Sequence, residues 1–204
     1  MTPTILRRIR RLAFILIFGL AGFYFAAYLR EPIPEVDPAP GGNQAQALVQ
    51  ELPDFQLSDS FGQMRSIREW SGRPLLINFW ATWCAPCLRE MPLLQALQDE
   101  RGERFQVIGI AVDRLPAVQS FVVEAGVSYP ILVGQQDAMD AAELFGPEFL
   151  ALPFSIFIAA DGRVLGLRAG ELDPAELREL LDTVDAVGEG RLEVAEARVL
   201  IGES

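Results

Sequence analysis

The sequence has no histidine, no lysine and only two cysteines. A zinc site needs about four nitrogen or sulfur ligands, so these absences argue against one, and no metal is expected. Because lysine is missing, all 17 basic residues are arginines, and 28 acidic residues outnumber them. The acidic excess opposes contact with phosphate groups, so no nucleic-acid partner is expected.

The two cysteines lie two residues apart within the stretch Asn78–Pro92, directly after the apolar run Leu75 to Trp80. If a helix begins at Cys84, the sulfur of that residue meets free N–H groups and the positive end of the helix dipole, which favour a thiolate. Cys84 is then the predicted attacking sulfur, and Cys87, one turn later, is the resolving thiol. The alternatives are two unreactive core cysteines or half of a zinc site.

The first thirty residues combine a basic start with a long uncharged run. Four arginines, at positions 7, 8, 10 and 11, precede the run Leu12 to Leu29. As a helix this run would rise about 27 Å, close to the hydrocarbon thickness of a bilayer. Residues 1–30 are therefore predicted to be a cytoplasmic basic segment and signal anchor in the inner membrane, with the remainder on the periplasmic side. A cleaved signal peptide is the alternative, and the lack of a following cysteine argues against a lipoprotein anchor.

The rest of the chain divides by composition into a linker, a domain and a tail. Residues 31–50 are rich in proline, glycine and alanine, which predicts a linker. Residues 51–187 alternate strand-like and helix-like patterns, beginning with a hairpin and ending with a helix that Asp173 caps, and this order predicts an α/β sandwich with a mixed sheet. Residues 188–204 have no evident partner for their few apolar side chains and are predicted to form a loosely held C-terminal tail.

The stretch Phe79–Cys87, with Glu90 and Pro92 beyond it, resembles the membrane-anchored, thioredoxin-like thiol:disulfide oxidoreductases of the TlpA/ResA/DsbE group. The resemblance spans about residues 51–187. It implies a thioredoxin-like sandwich with a mixed central sheet and an added N-terminal β-hairpin. The further motifs that carry it are Pro53-Asp54-Phe55, Leu57, Asp59 with Gly62, Tyr129-Pro130, Phe145-Gly146, Pro153, Phe157-Ile158 and Asp161-Gly162.

The resemblance also implies roles for single residues around the cysteines. It makes Cys84 the nucleophile and Cys87 the resolving thiol. Trp83 and Pro86 would flank the disulfide on the substrate-docking side, and Pro153 would be a cis-proline that docks the substrate chain. The two residues before that proline, Ala151 and Leu152, differ from the glycine and small residue usual in the family.

Two residues concern proton transfer at the cysteines. Asn78 stands where cytosolic thioredoxins have a buried aspartate, and it cannot titrate. Glu90 matches an acidic residue that the membrane-anchored reductases keep near their active site, and it is predicted to exchange a proton with Cys87. The alternative is a solvent-facing glutamate that pairs with Arg89 or Arg101.

The predicted activity is dithiol–disulfide exchange without a cofactor. The resemblance implies disulfide-containing client proteins, such as apocytochrome c or copper-insertion proteins, and a membrane electron donor of the thiol-reducing type. Three alternatives use the same cysteines: a disulfide oxidase, a Cu(I)-binding module with Met91 nearby, and a purely structural disulfide. The last is disfavoured because so small a loop stabilises little.

Overall fold

The computed structural model describes residues 49–146 and 151–203. The predicted anchor and nearly all of the predicted linker lie outside these ranges. Inside them, no helix is both long enough and apolar enough to cross a bilayer.

The described residues form seven strands and five α-helices, with one short 3-10 helix, Ile67–Trp70, after the second strand. The strands are β1 (Gln56–Asp59), β2 (Met64–Ser66), β3 (Leu75–Trp80), β4 (Gln106–Val112), β5 (Ile131–Gly134), β6 (Phe154–Ile158) and β7 (Val164–Ala169). The helices are α1 (Ala85–Arg101), α2 (Leu115–Ala125), α3 (Gln136–Glu143), α4 (Pro174–Gly188) and α5 (Val194–Glu203).

All seven strands form one sheet in the order β2-β1-β5-β4-β3-β6-β7. Strands β3, β4 and β5 are parallel neighbours, and the remaining pairs are antiparallel. The predicted mixed α/β sandwich and its N-terminal hairpin, β1–β2, are therefore confirmed. Because the three parallel strands end at the same edge, the loops that follow them meet there.

Strand β3 lies inside the sheet and is buried along its whole length. Its side chains alternate between two cores, since successive residues of a strand point to opposite faces. Leu76 and Trp80 belong to the core that also contains the buried face of α1, whereas Ile77 and Phe79 belong to the core on the other face. Asn78 is the only polar residue of β3, and its position in the alternation directs it toward α1.

Strand β2 ends at Ser66, and the 3-10 helix begins at the next residue, Ile67. The Ser66 hydroxyl accepts a hydrogen bond from the Arg68 N–H, and the Glu69 carboxylate accepts one from the Ser66 N–H. This reciprocal cap stabilises the helix start and ends the strand.

The prediction of a loosely held tail is wrong. Most of the last seventeen residues form α5, on which Ala197 and Ile201 are fully buried. A Cβ atom at Gly166 of β7 would lie 2.3 Å from Ile201 Cγ2, so the missing side chain there lets the helix approach the strand. The Arg198 guanidinium also donates to the Val164 carbonyl at 2.9 Å. Two buried residues give too weak a periodic signal to predict this packing from the sequence.

Candidate active site

Cys84 and Cys87 form a disulfide at the start of α1, with 5.3 Å between their Cα atoms. Cys84 is the N-cap residue of the helix, as predicted, and Pro86 lies in its first turn, where a missing N–H costs no hydrogen bond. The Cys87 N–H donates to Cys84 Sγ at 3.3 Å. In the reduced protein the same N–H and the helix dipole would stabilise a thiolate on Cys84.

The two sulfurs differ in their access to solvent. Cys84 keeps 5% of its surface exposed, whereas Cys87 is fully buried. The preceding residue, Trp83, is 71% exposed, which is unusual for so large an apolar side chain. An incoming disulfide therefore meets Trp83 and the edge of Cys84 before it could reach Cys87.

The loop before the cysteines is held by Asp113, which follows β4. The Thr82 hydroxyl and N–H both donate to Asp113 Oδ2, at 2.5 and 3.1 Å, and the Arg114 N–H donates to Oδ1 at 2.7 Å. Burial alone would raise the pKa of Asp113, but these hydrogen bonds stabilise the carboxylate and hold that pKa below its usual range. The sequence analysis missed both residues, although an aspartate directly after a buried parallel strand is a signal for this edge.

Pro153 reaches the same edge of the sheet from β6. Phe154 pairs with Phe79 in the antiparallel ladder, so Pro153 lies beside the end of β3, where the cysteine loop begins. The Leu152–Pro153 peptide bond is cis, which confirms the conformation that the resemblance implied. The docking role of Pro153 stays a prediction.

Glu90 is buried behind the disulfide, on the same face of α1 as Cys87. Only 2% of its surface is exposed. The Asn78 side-chain amide donates to Oε1 at 2.7 Å, and the Leu172 N–H donates to Oε2 at 2.9 Å. Burial raises the pKa of Glu90 to about 7, although both hydrogen bonds act against the rise. A carboxyl with this pKa can both release and accept a proton near neutral pH.

The alternative of a solvent-facing glutamate paired with a neighbouring arginine is wrong. Arg89 Nε donates to both carboxylate oxygens of Glu171 at 3.1 Å, and Arg101 Nη1 lies 2.8 Å from Asp185 Oδ2. Glu90 faces inward because it lies three residues after Cys87, on the buried stripe of the helix.

The polar cluster around Glu90 also includes Ser155, to which the sequence assigned no role, and Tyr129, which entered only as part of a family motif. Asn78 Nδ2 also lies 3.1 Å from Ser155 Oγ, directly across the ladder from it. The Tyr129 hydroxyl is buried, and its pKa is raised by burial and by the negative charge of Glu90. These side chains sit in an otherwise apolar core, where each polar group strongly influences its neighbours.

Within residues 49–146 and 151–203, no group of three or more histidine, cysteine, aspartate or glutamate side chains could hold a metal ion. Met91 is buried in the core that contains both cysteines.

Three comparisons bear on this arrangement. Residues 48–183 match the Redoxin family. The chain is 29% identical over 143 residues to the thiol-disulfide oxidoreductase ResA of Geobacillus thermodenitrificans, covering 69% of this chain and 79% of the relative. It is 27% identical over 137 residues to the thioredoxin-like protein YneN of Bacillus subtilis, covering 65% and 78%. A thioredoxin-family thiol:disulfide interchange protein of Chlorobium tepidum superposes with a TM-score of 0.60 at 27% identity, covering 68% of this chain and 97% of that one.

Proposed function

The chain belongs to the redoxin family and is a thiol:disulfide oxidoreductase of the ResA type, and on that premise we propose that it reduces disulfides of client proteins from a membrane tether on the extracytoplasmic side. The observation that carries the proposal is the asymmetry of the disulfide. Cys84, at the helix N-terminus, keeps 5% of its surface exposed, whereas Cys87 is fully buried and lies one helical turn before Glu90, a buried carboxyl whose pKa is about 7.

The first step is the attack of the Cys84 thiolate on one sulfur of a client disulfide. A bond forms between Cys84 Sγ and that sulfur while the client S–S bond breaks, and the second client sulfur leaves as a thiolate that takes up a proton. The position of Cys84 as helix N-cap supports this role, because the helix dipole lowers the pKa of a thiol there.

The second step releases the client. The Cys87 thiolate attacks Cys84 Sγ, and the bond between Cys84 Sγ and the client sulfur breaks as the Cys84–Cys87 bond forms. The client sulfur leaves as a thiolate that takes up a proton, so the client departs as a dithiol carrying two electrons. Cys87 must lose a proton to attack, and Glu90, one helical turn away on the same buried face, is the proposed acceptor. Asn78 holds Glu90 in position without competing for that proton, since an amide does not titrate near neutral pH.

Trp83, Pro86 and Pro153 form the proposed docking surface for the client chain. Trp83 is exposed next to Cys84, Pro86 is partly exposed in the first turn of α1, and the β6 register brings Pro153 to the same edge. Residues from separate loops around Cys84 can contact a polypeptide on both sides of its disulfide.

The proposed location is the outer side of the inner membrane, with residues 1–30 as the anchor. The charge pattern of that segment supports it. Such a compartment is oxidising, so a membrane electron donor of the thiol-reducing class must return two electrons to the Cys84–Cys87 disulfide after each cycle. The proposed clients are the haem-binding cysteines of apocytochrome c or the cysteines of copper-insertion proteins, in keeping with the family resemblance.

The test is to trap mixed disulfides with the full chain in cells. Cys87→Ser should accumulate adducts of Cys84 with client proteins, because the resolving thiol is gone, and mass spectrometry of the adducts identifies the clients. Cys84→Ser is the matched control and should trap none. Client reduction by Cys84→Ser would overturn the mechanism. Transfer of the Cys84–Cys87 disulfide from the wild-type protein to its clients would identify an oxidase instead.

A further inference from the structure

A shallow groove begins at Trp83, the residue next to the reactive sulfur, and continues toward the start of α3. Its apolar lining comes from Trp83, Val112 at the end of β4 and Met139 on α3. Trp83 is 71% exposed and Met139 is 37% exposed. Large apolar side chains that stay exposed beside a reactive group mark a contact surface.

The groove also contains an arginine whose side chain has no hydrogen-bond or ion-pair partner among residues 49–146 and 151–203. Ten of the twelve arginines in the described ranges donate a side-chain hydrogen bond or form an ion pair. The exceptions are Arg104 and Arg114, both exposed, and only Arg114 lines the groove. An exposed, unpaired guanidinium is available to a carboxylate of a partner.

Asp113, the acid that precedes Arg114 in the sequence, is already engaged. Asp113 accepts hydrogen bonds from Thr82 and from the Arg114 backbone N–H, and the field of the Arg114 guanidinium reaches it only through space. The groove also presents the exposed side-chain amide of Gln135, which can pair with a partner backbone. Arg114 is the one basic side chain among the residues that line the groove, so a single partner carboxylate would be attracted to this point.

We propose that this groove docks the client segment beside the attacked cysteine and that Arg114 selects segments in which a carboxylate stands next to an apolar side chain. The apolar side chain lies against Trp83 and Met139, and the carboxylate pairs with the guanidinium. This inference rests on the proposed function, because the occupant is the client polypeptide of the exchange reaction.

The test uses three synthetic peptides with the same internal disulfide and a leucine beside the attacked cysteine, differing only by Asp, Gln or Lys at the next position. The reduced full chain is mixed with each peptide, and the second-order rate constant of reduction is measured by stopped flow. We expect the Asp peptide to react about fivefold faster than the Lys peptide at low ionic strength, a ratio that shrinks toward one at about 0.5 M salt.

Variants assign the selectivity to one side chain. Arg114→Gln should bring the Asp-to-Lys ratio close to one, and Arg114→Glu should invert it. The ratio is the chosen readout because any effect of Arg114 on the reactivity of Cys84 enters both rates equally. Arg104→Gln is the matched control: it removes an exposed, unpaired arginine beyond the far end of α1, about 25 Å along the helix from Cys84, and should leave the ratio unchanged.

The outcomes separate the two proposals. A wild-type ratio near one, or a ratio that persists in Arg114→Gln, would overturn selection by Arg114 while leaving the reductase function standing. Failure of the wild-type chain to reduce any of the three peptides would overturn the proposed function itself.

Discussion

Asn78 on β3 donates its side-chain amide to Glu90 on α1 at 2.7 Å, inside a core from which both side chains are almost completely shielded from water. The strand that leads into the cysteines thus contributes a fixed donor, and the helix that follows them contributes the titrating carboxyl. Of these two side chains only Glu90 changes its charge near neutral pH. Glu90 is therefore the group that takes up or releases a proton there.

Replacing Glu90 by Gln should leave the protein folded and slow disulfide exchange by about tenfold or more. The amide keeps the shape of the side chain but cannot accept the proton of Cys87. The measurement is the rate of client-disulfide reduction from pH 5 to 9, in which the wild-type inflection near pH 7 should disappear. Glu100→Gln, an exposed glutamate on the same helix, is the control and should retain the wild-type profile. Equal rates and equal profiles for both variants would exclude a proton-transfer role for Glu90.

The fold could be predicted from the sequence because local pattern and family resemblance agree over residues 51–187. The burial of Glu90 could not, since an acidic residue between Arg89 and Met91 fits an exposed helix face as well as a buried one. The groups that donate hydrogen bonds to Glu90 belong to Asn78 and to Leu172, which is 82 residues from Glu90 in the sequence. No local pattern predicts that these residues come together. The hydrogen bonds between Thr82 and Asp113 could not be predicted for the same reason, because the two loops come together only after the sheet has formed.

Removing the hydroxyl of Thr82 tests how much its hydrogen bond to Asp113 stabilises the fold. Thr82→Val keeps the side-chain shape and the backbone N–H but loses the 2.5 Å bond to Asp113. We expect the free energy of unfolding to fall by about 1–2 kcal/mol, because a partly buried carboxylate loses one of its donors. Thr82→Ser keeps the hydroxyl and should lose clearly less. The measurement is urea denaturation of the oxidised proteins, and equal losses in the two variants would rule out the hydroxyl as the source.

The docking of α5 on β7 predicts a penalty for a side chain at Gly166. In Gly166→Ala the new methyl group would lie about 2.3 Å from Ile201 Cγ2, so the helix must shift, at a cost of about 1–3 kcal/mol. Gly188→Ala is the control, because a Cβ atom there meets nothing within 4 Å, and helix propensity should make it neutral or stabilising. Thermal or urea unfolding measures both. If Gly166→Ala costs as much stability in an Ile201→Ala background as in the wild type, the contact is not the cause of the loss.

The raised pKa of Glu90 predicts how stability depends on pH. The ordinary pKa of a glutamate is 4.5, and burial in the folded protein raises it to about 7. Between these values the folded protein binds more protons than the unfolded chain, so Glu90 favours the folded state at low pH and that contribution is lost as pH rises through 7. A shift of this size corresponds to about 3 kcal/mol between pH 4.5 and pH 8.

This dependence has the opposite sign to that of Asp59 and Asp113, whose lowered pKa values make the folded state more stable as pH rises from acid values. The informative quantity is therefore the difference between wild type and Glu90→Gln, measured by urea denaturation of the oxidised proteins at intervals from pH 5 to 8. Relative to the variant, the wild type should lose stability from pH 5 to about pH 7 and level off toward pH 8, whereas Glu100→Gln should follow the wild type. Parallel curves for wild type and Glu90→Gln would mean that Glu90 is already ionised in the folded protein at pH 5, in which case it could not take part in proton exchange near neutral pH.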